Sequence, residues 1–326
     1  MTGNDLDSAS ASADLPLAVG PAIRTSGSFF GSDFMFTATL IATDRLNEGD
    51  VSALADRLAD CGVIGVAHSW LEPAIACDLH FSGDPVAARG ALEGVVPGVD
   101  VIVQKSAERR RRLIVADMDS TMITVECIDE LADYAGIKPQ IAEVTERAMR
   151  GELDFEEALK SRVALLKGLP ETVIEQCLAE RVKIMPGAVA LVRTIRAKGG
   201  YAILVSGGFT RFAEPVGAEI GFDRVIANRL GIVGGQLDGT VDSPIVGAAA
   251  KKQALLSALS ERTWSVADAL AVGDGANDIP MIEAAGLGVA YHAKPKTRAA
   301  AAAGITHGDL TAILYAMGYP RSEWAR

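Results

Sequence analysis

Two different periodicities divide the chain. Apolar and polar residues alternate over Phe34–Ile41, which predicts a strand with one buried face. Val51, Leu54, Ala55 and Leu58 then recur at helical spacing within Glu48–Asp60. Two further strand patterns lie near Val63–Leu71 and Ala74–Phe81, split by Glu72-Pro73. Pro85–Glu93 reads as a second helix and Val99–Gln104 as a last strand. The order βαββαβ predicts a ferredoxin-like α+β domain over residues 29–105. Residues 1–28 are low in complexity and are expected to form a flexible N-terminus.

From Leu113 the alternation gives way to short continuous apolar runs, Leu113–Ala116, Tyr201–Val205 and Ala269–Val272. Such runs fill strands covered on both faces. Helical patterns at Ala188–Lys198 and Lys252–Leu259 separate them, so residues 106–326 are expected to form an α/β domain with a doubly wound parallel sheet. Residues 117–200 lie between the first two runs, far more than the dozen or so a crossover needs. They carry helical patterns at Cys127–Gln140, Gln140–Arg150, Asp154–Leu166 and Pro170–Ala179. We read this as a helical cap, about 127–185, inserted at a strand's C-terminal end.

The composition, 49% hydrophobic and 22% charged, supports a packed core. A net charge of −11 argues against nucleic acid as a partner, because phosphate contacts need a basic surface. The dense run Arg109–Arg112 reads as a solvated linker. Cys61, Cys77, Cys127 and Cys177 lack the spacing of a metal knuckle or redox pair, which suits small buried hydrophobes in a reducing cytoplasm. No apolar stretch approaches the ~20 residues of a membrane span, so no membrane partner is expected. The acidic start is unlike a signal peptide.

The candidate chemistry stands where the three apolar runs end, and α/β sheets bind ligands outside the carboxyl ends of their strands. The first run enters Asp117-Met-Asp119-Ser-Thr121. Carboxylates two residues apart can act as nucleophile and proton donor, although the same residues also suit a turn or a helix cap. The second enters Ser206-Gly207-Gly208, a hydroxyl and unhindered amides of the kind that hold phosphate oxygens. The third enters Gly273-Asp274-Gly-Ala-Asn277-Asp278. There Asp274 is a candidate Mg²⁺ ligand, and Asp278 can orient a metal-bound water or a nearby lysine. A phosphoryl group among carboxylates needs a cation. Lys252 is preferred to its neighbour Lys251, because Leu255 and Leu256 follow Lys252 at the spacing that buries a first helical turn.

In this order the four elements resemble the motifs of the haloacid dehalogenase superfamily of phosphatases. LIVADMDSTMITVECIDELADYAG, DFEEALKSRVALLKGLP, LVSGGFT and VGDGANDIPMIEAAGLGVAYHAKP are similar to its phosphoserine phosphatase family, over about residues 113–310. The resemblance implies a Mg²⁺-dependent hydrolase that converts O-phospho-L-serine to L-serine and phosphate, the last step of serine biosynthesis. It implies that Asp117 is the nucleophile and a metal ligand, and that Asp119 is the general acid and base and lends its carbonyl to the metal. Asp274 completes the protein ligands. Ser206, Gly207 and Lys252 hold the phosphoryl group, with Asn277 and Asp278 in support. Glu126, Phe155 and Arg162 stand at the positions that contact the serine part. An arginine can grip a carboxylate with two parallel bonds, and Glu126 can pair with the ammonium.

The first unit resembles an ACT domain, with ATDRLNEG where such modules carry their first-strand-to-helix loop. Gly49 comes later after Asp44-Arg45 than that pattern has it. Ligand binding and a structural role, including a homodimer contact, both stay open. Two other readings of the whole chain are a phosphotransferase that passes the phosphoryl group to another alcohol, and an amino-acid-sensing module. The intact Asp117/Asp119 pair argues against the second.

Overall fold

The computed structural model describes Met1, residues 34–150 and residues 152–325. The flexible segment expected over 1–28 falls, after Met1, outside the described residues.

The first unit runs β1 (Phe36–Ala42), α1 (Glu48–Asp60), β2 (Ile64–Glu72), β3 (Ala76–Ser82), α2 (Pro85–Leu92) and β4 (Val99–Lys105). Its antiparallel sheet has the order β2-β3-β1-β4, as the βαββαβ pattern predicts. Asn47 starts α1 through a capping box with Asp50. One sheet face, with Leu40, Leu79 and Phe81, packs on Val51, Leu54 and Leu58 of α1 and Leu92 of α2. The other face is not free. Ile41, Ala76 and Ile102 belong to the main core of the second unit.

Polar contacts reinforce that junction. Asp100, 3% exposed, accepts from the backbone amides of Thr306 (2.8 Å), His307 (3.2 Å) and Gly308 (2.7 Å). The basic run is therefore not a solvated linker. Arg109 grips Asp78 through Nη1 and Nη2 at 2.7 and 3.0 Å. Arg110 lies over the Tyr319 ring, Arg112 lies over Trp264, and Arg111 is buried. Four adjacent positively charged residues read as surface in one dimension, but here aromatic faces and a buried carboxylate receive them.

The second unit begins with β5 (Leu113–Ala116) and the cap helices α3 (Cys127–Tyr134), α4 (Lys138–Met149), α5 (Phe155–Leu165) and α6 (Thr172–Glu180). Then come α7 (Ala188–Ala197), β6 (Tyr201–Phe209), α8 (Thr210–Ile220), β7 (Arg224–Asn228), and a hairpin of β8 (Leu230–Val233) and β9 (Gln236–Val241). The chain continues through α9 (Ala248–Arg262), β10 (Ala269–Gly273), α10 (Ile279–Ala284), β11 (Leu287–Tyr291), α11 (Pro295–Ala300), β12 (Ala303–Ile305) and α12 (Thr311–Ala316).

Six strands form a parallel sheet in the order β12-β11-β10-β5-β6-β7. Alternate residues of β5 face opposite layers. Ile114 and Ala116 join the core with α7, α8 and α12, while Leu113 and Val115 pack with α9 and α10. This is the doubly wound arrangement, and it puts the chain reversal beside β5. The hydrophobic pattern did not single out β7, β11, β12 or the hairpin. β12 is only Ala303–Ile305, too short to show a period.

Cys77, Cys127 and Cys177 are buried as expected; Cys61 is exposed, contrary to that expectation.

Candidate active site

The C-terminal ends of β5, β6 and β10 converge under the cap. They enclose a cleft of about 380 Å³ lined by Asp117, Asp119, Glu126, Phe155, Arg162, Ser206, Gly207, Asp274 and Asn277. These residues come from five separate stretches of chain. Asp129 and Lys294, which sequence reasoning did not single out, line it too.

The central cation is Lys251, not Lys252. Its Nζ lies 2.5 Å from Asp117 Oδ1 and 2.7 Å from Asp278 Oδ1, and the side chain is fully buried. Lys252 is exposed. The helix phase explains the correction. α9 begins at Ala248, and its buried stripe is Lys251, Ala254, Leu255, Ala258 and Leu259, the i, i+3, i+4, i+7, i+8 series. Leu256, used to favour Lys252, is 37% exposed.

Burial opposes the charge on Lys251, but Asp117 and Asp278 outweigh it and hold the ammonium above its ordinary value. Burial also drives Asp117 well above the usual carboxylate range, followed by repulsion from Asp278, with Lys251 acting in the opposite sense. Asp117 and Asp278 share this one buried ammonium, and Asp119 and Asp274 line the cleft beside Asp117.

Asp119 stands at the start of a tight reversal of the chain. Met118 O receives the amides of Thr121, Met122 and Ile123, and Ser120 takes a φ of +55°. Burial, then the nearby charge of Glu126, push the Asp119 carboxyl up to about 7, while hydrogen bonding from Cys127 pulls it down. Its Oδ1 is buried with no hydrogen-bond partner among the described residues. Ser120 Oγ donates to Glu126 Oε1 at 2.7 Å, which ties the loop to the start of α3.

On the opposite wall, Gly208 N donates to Ser206 Oγ at 2.8 Å and leaves the hydroxyl proton free to donate. Asn228, buried at the end of β7, donates to Gly207 O at 2.8 Å and receives Val246 N on Oδ1 at 2.7 Å. This brace on the Ser206–Gly208 loop was missed. A lone Asn after a short strand carries no local signal.

Oxygens of Asp117, Asp274 and Asp278 lie within 4.8 Å of one another, close enough to hold a metal ion. Asp278 spends Oδ1 on Lys251 and receives Gly275 N on Oδ2 at 3.0 Å. Asp117 and Asp274 each keep an oxygen: Lys251 Nζ meets Oδ1 of the first, and Thr121 Oγ1 donates to Oδ1 of the second at 3.1 Å. Burial, then Asp278 and Glu126, raise Asp274 to about 6. An all-oxygen set with excess negative charge fits a hard divalent cation with few protein ligands.

The cap closes the cleft from above. Asp154 caps α5 through a box with Glu157, so Phe155 is its first residue. The Phe155 ring rests on two glycines: a Cβ on Gly207 would stand 3.2 Å from it, and one on Gly247 3.1 Å. Two turns on, half-buried Arg162 lines the same space. Burial lowers its pKa, while Asp129, Glu126 and Asp119 act to raise it.

The sequence model for haloacid dehalogenase-like hydrolases matches residues 114–283. A phosphoserine phosphatase of Streptomyces coelicolor is 42% identical over 279 residues, covering 83% of this chain and 68% of that protein. Phosphoserine phosphatase SerB2 of Mycobacterium tuberculosis is 48% identical over 227 residues, covering 69% of this chain and 55% of its own length. This chain thus spans from just over half to about two thirds of these relatives. The crystal structure of a probable phosphoserine phosphatase from Vibrio cholerae, in unliganded form, superimposes with a TM-score of 0.69 at 33% identity, covering 89% of each chain. The chain belongs to the haloacid dehalogenase-like hydrolase family.

Proposed function

We propose that the protein is a Mg²⁺-dependent phosphoserine phosphatase, which hydrolyses O-phospho-L-serine to L-serine and phosphate. The observation that carries this reading is that Arg162 and Glu126 line the same cleft as Asp117 and Asp119. One carboxylate-binding and one ammonium-binding group thus face a phosphoryl-transfer centre. The names of the relatives support it.

In this mechanism the free oxygen of Asp117 attacks phosphorus, and the bond to the serine oxygen breaks. Asp119, whose burial favours the protonated form, gives its proton to the departing alkoxide. The resulting carboxylate then takes a proton from water, which attacks the aspartyl phosphate and releases phosphate and free Asp117. Lys251, the Ser206 hydroxyl and the Gly207 amide hold the phosphoryl oxygens. Asn277 supports them, and Asp278 keeps Lys251 in place. Mg²⁺ held by Asp117, Asp274 and the Asp119 carbonyl would supply positive charge against the phosphoryl oxygens. Phe155 excludes water from the closed site.

The reading extends to a cytoplasmic enzyme of serine biosynthesis with neither nucleic acid nor membrane as partner. Among the described residues no helix is long and apolar enough to cross a membrane. The first unit serves in it as an ACT-like module, with a homodimer as the partner expected of it.

The test is phosphate release with Mg²⁺ across small phosphomonoesters, including O-phospho-L-serine, phosphoethanolamine and glycerol phosphate. O-phospho-L-serine is expected to give the highest kcat/KM. Equal values across the panel overturn the assignment. Phosphoryl transfer to an added alcohol in preference to water indicates a phosphotransferase.

A further inference from the structure

The β8–β9 hairpin belongs neither to the parallel sheet nor to the cap, yet it runs from the end of β7, beside the Ser206–Gly208 loop, to the cap. Just before its root, Asn228 binds the Gly207 carbonyl of the phosphate-side loop. Further along, the hairpin joins the cap by backbone bonds. Gly168 N donates to Leu237 O at 2.8 Å, Leu237 N to Leu169 O at 2.9 Å, and Glu171 N to Gly235 O at 3.0 Å. Leu237 is buried in the same core cluster as Leu159, Val163 and Leu166.

Gly239 makes the closest approach. Its φ is +85°, and a Cβ there would stand 3.0 Å from Lys167 Cβ and 3.4 Å from the Ala164 backbone. Only glycine combines that backbone with that space. Asp238 Oδ1 accepts from Thr240 N at 2.8 Å and Thr240 Oγ1 at 2.7 Å, which fixes the backbone on either side of Gly239.

We propose that this hairpin is a strut that sets the height of α5 over the Ser206–Gly208 loop, and that Gly239 is a positioning residue for substrate recognition. α5 carries both Phe155 and Arg162. The chain itself passes between core and cap at the paired segments of Ile123 and Ile184, where Thr124 N donates to Lys183 O at 3.0 Å and Met185 N to Met122 O at 2.9 Å. Arg211 of α8 also pairs with Glu171 and Glu175 of the cap. That contact is exposed and side-chain only, whereas the strut is backbone to backbone. The ligand named for Arg162 rests on the function proposed above; the strut itself does not.

The test uses the full chain with Mg²⁺, Gly239→Ala, and two substrates, O-phospho-L-serine and p-nitrophenyl phosphate. A displaced α5 should raise KM for O-phospho-L-serine about tenfold or more, while kcat/KM for p-nitrophenyl phosphate, which has no serine part, stays within about threefold. Amide exchange over residues 155–171 should quicken, with 113–116 and 269–273 unchanged. Glu171→Pro is a milder variant. It removes the N–H bonded to Gly235, at a φ of −59° that proline accepts, together with the side chain that meets Arg211. Glu171→Gln is its control, keeping that N–H while altering the contact with Arg211. Glu171→Pro should shift both readouts the same way beyond the control, and it decides the matter if Gly239→Ala fails to fold. Equal loss on both substrates, or unaltered exchange over 155–171, overturns the strut. If the wild type does not favour O-phospho-L-serine, the functional reading fails, and the exchange result alone judges the strut.

Discussion

Lys251 Nζ sits 2.5 Å from Asp117 Oδ1, with the lysine side chain wholly buried and the aspartate side chain 8% exposed. One ammonium thus faces the carboxylate proposed to attack phosphorus, and Asp278 receives its other side. Lys251→Ala should abolish turnover. It should also lower stability by about 3–5 kcal/mol, the cost of leaving a buried charge unpaired. Lys252→Ala, at an exposed position, should change stability by no more than about 0.5 kcal/mol and keep activity. Thermal denaturation and kcat/KM on both variants check the assignment.

Asp117→Asn should leave the fold intact and remove activity, because an amide neither attacks phosphorus nor binds a metal as an anion. Asp119→Asn should lower kcat by roughly 10²–10⁴-fold, the worth of one positioned acid. Single-turnover kinetics distinguish the two: only Asp119→Asn should form any phosphorylated enzyme. Normal turnover in Asp117→Asn rules the mechanism out.

Removing divalent cations with EDTA should silence the enzyme, and Mg²⁺ should restore it. Ca²⁺ should bind and support little turnover, since its longer and more numerous oxygen contacts displace the phosphoryl group. Full activity in a preparation shown to be metal-free contradicts this.

Arg162→Ala should weaken O-phospho-L-serine by the loss of a charged hydrogen bond, about 1.5–3 kcal/mol. Phosphoethanolamine, which has no carboxylate, should be almost unaffected. Glu126→Gln should weaken both, and Arg162→Lys should rescue only in part, because lysine lacks the planar fork. The measurement is kcat/KM for both substrates in all three variants. Equal loss on both substrates in Arg162→Ala removes the carboxylate role.

Asp100→Ala leaves the amides of Thr306, His307 and Gly308 without their shared acceptor at the junction of the two units. A loss of about 1.5–3 kcal/mol is expected for hydrogen bonds to a charged group. Asp100→Asn should lose less, as one amide oxygen still accepts. Every residue proposed for catalysis lies beyond Leu113, so a 106–326 fragment keeps the chemical groups. It also exposes the apolar surface that Ile41, Ala76 and Ile102 cover, and is expected to be less stable and to aggregate. Chemical denaturation of the variants and light scattering of the fragment check both.

The chain order of the residues was enough to read much of this protein. Alternation, helical spacing and short apolar runs are local signals, and they yielded α1 over Glu48–Asp60 and β5 over Leu113–Ala116 with the observed bounds. The polar ends of β5, β6 and β10 were legible for the same reason, since strand and motif are adjacent in sequence. Lys251 was not. One helical residue turns a side chain by about 100°, so an error in where α9 begins moved the buried cation onto a solvent-facing neighbour. Asn228, Gly239 and Asp100 were equally silent. Each acts on a partner distant in sequence, Gly207, Lys167 or the amides near His307, and no local pattern records such a meeting. The arginine run misled for the opposite reason: its composition reads as solvent-exposed, while Asp78, Tyr319 and Trp264, brought together only by the packing of the two units, decide where the charges go.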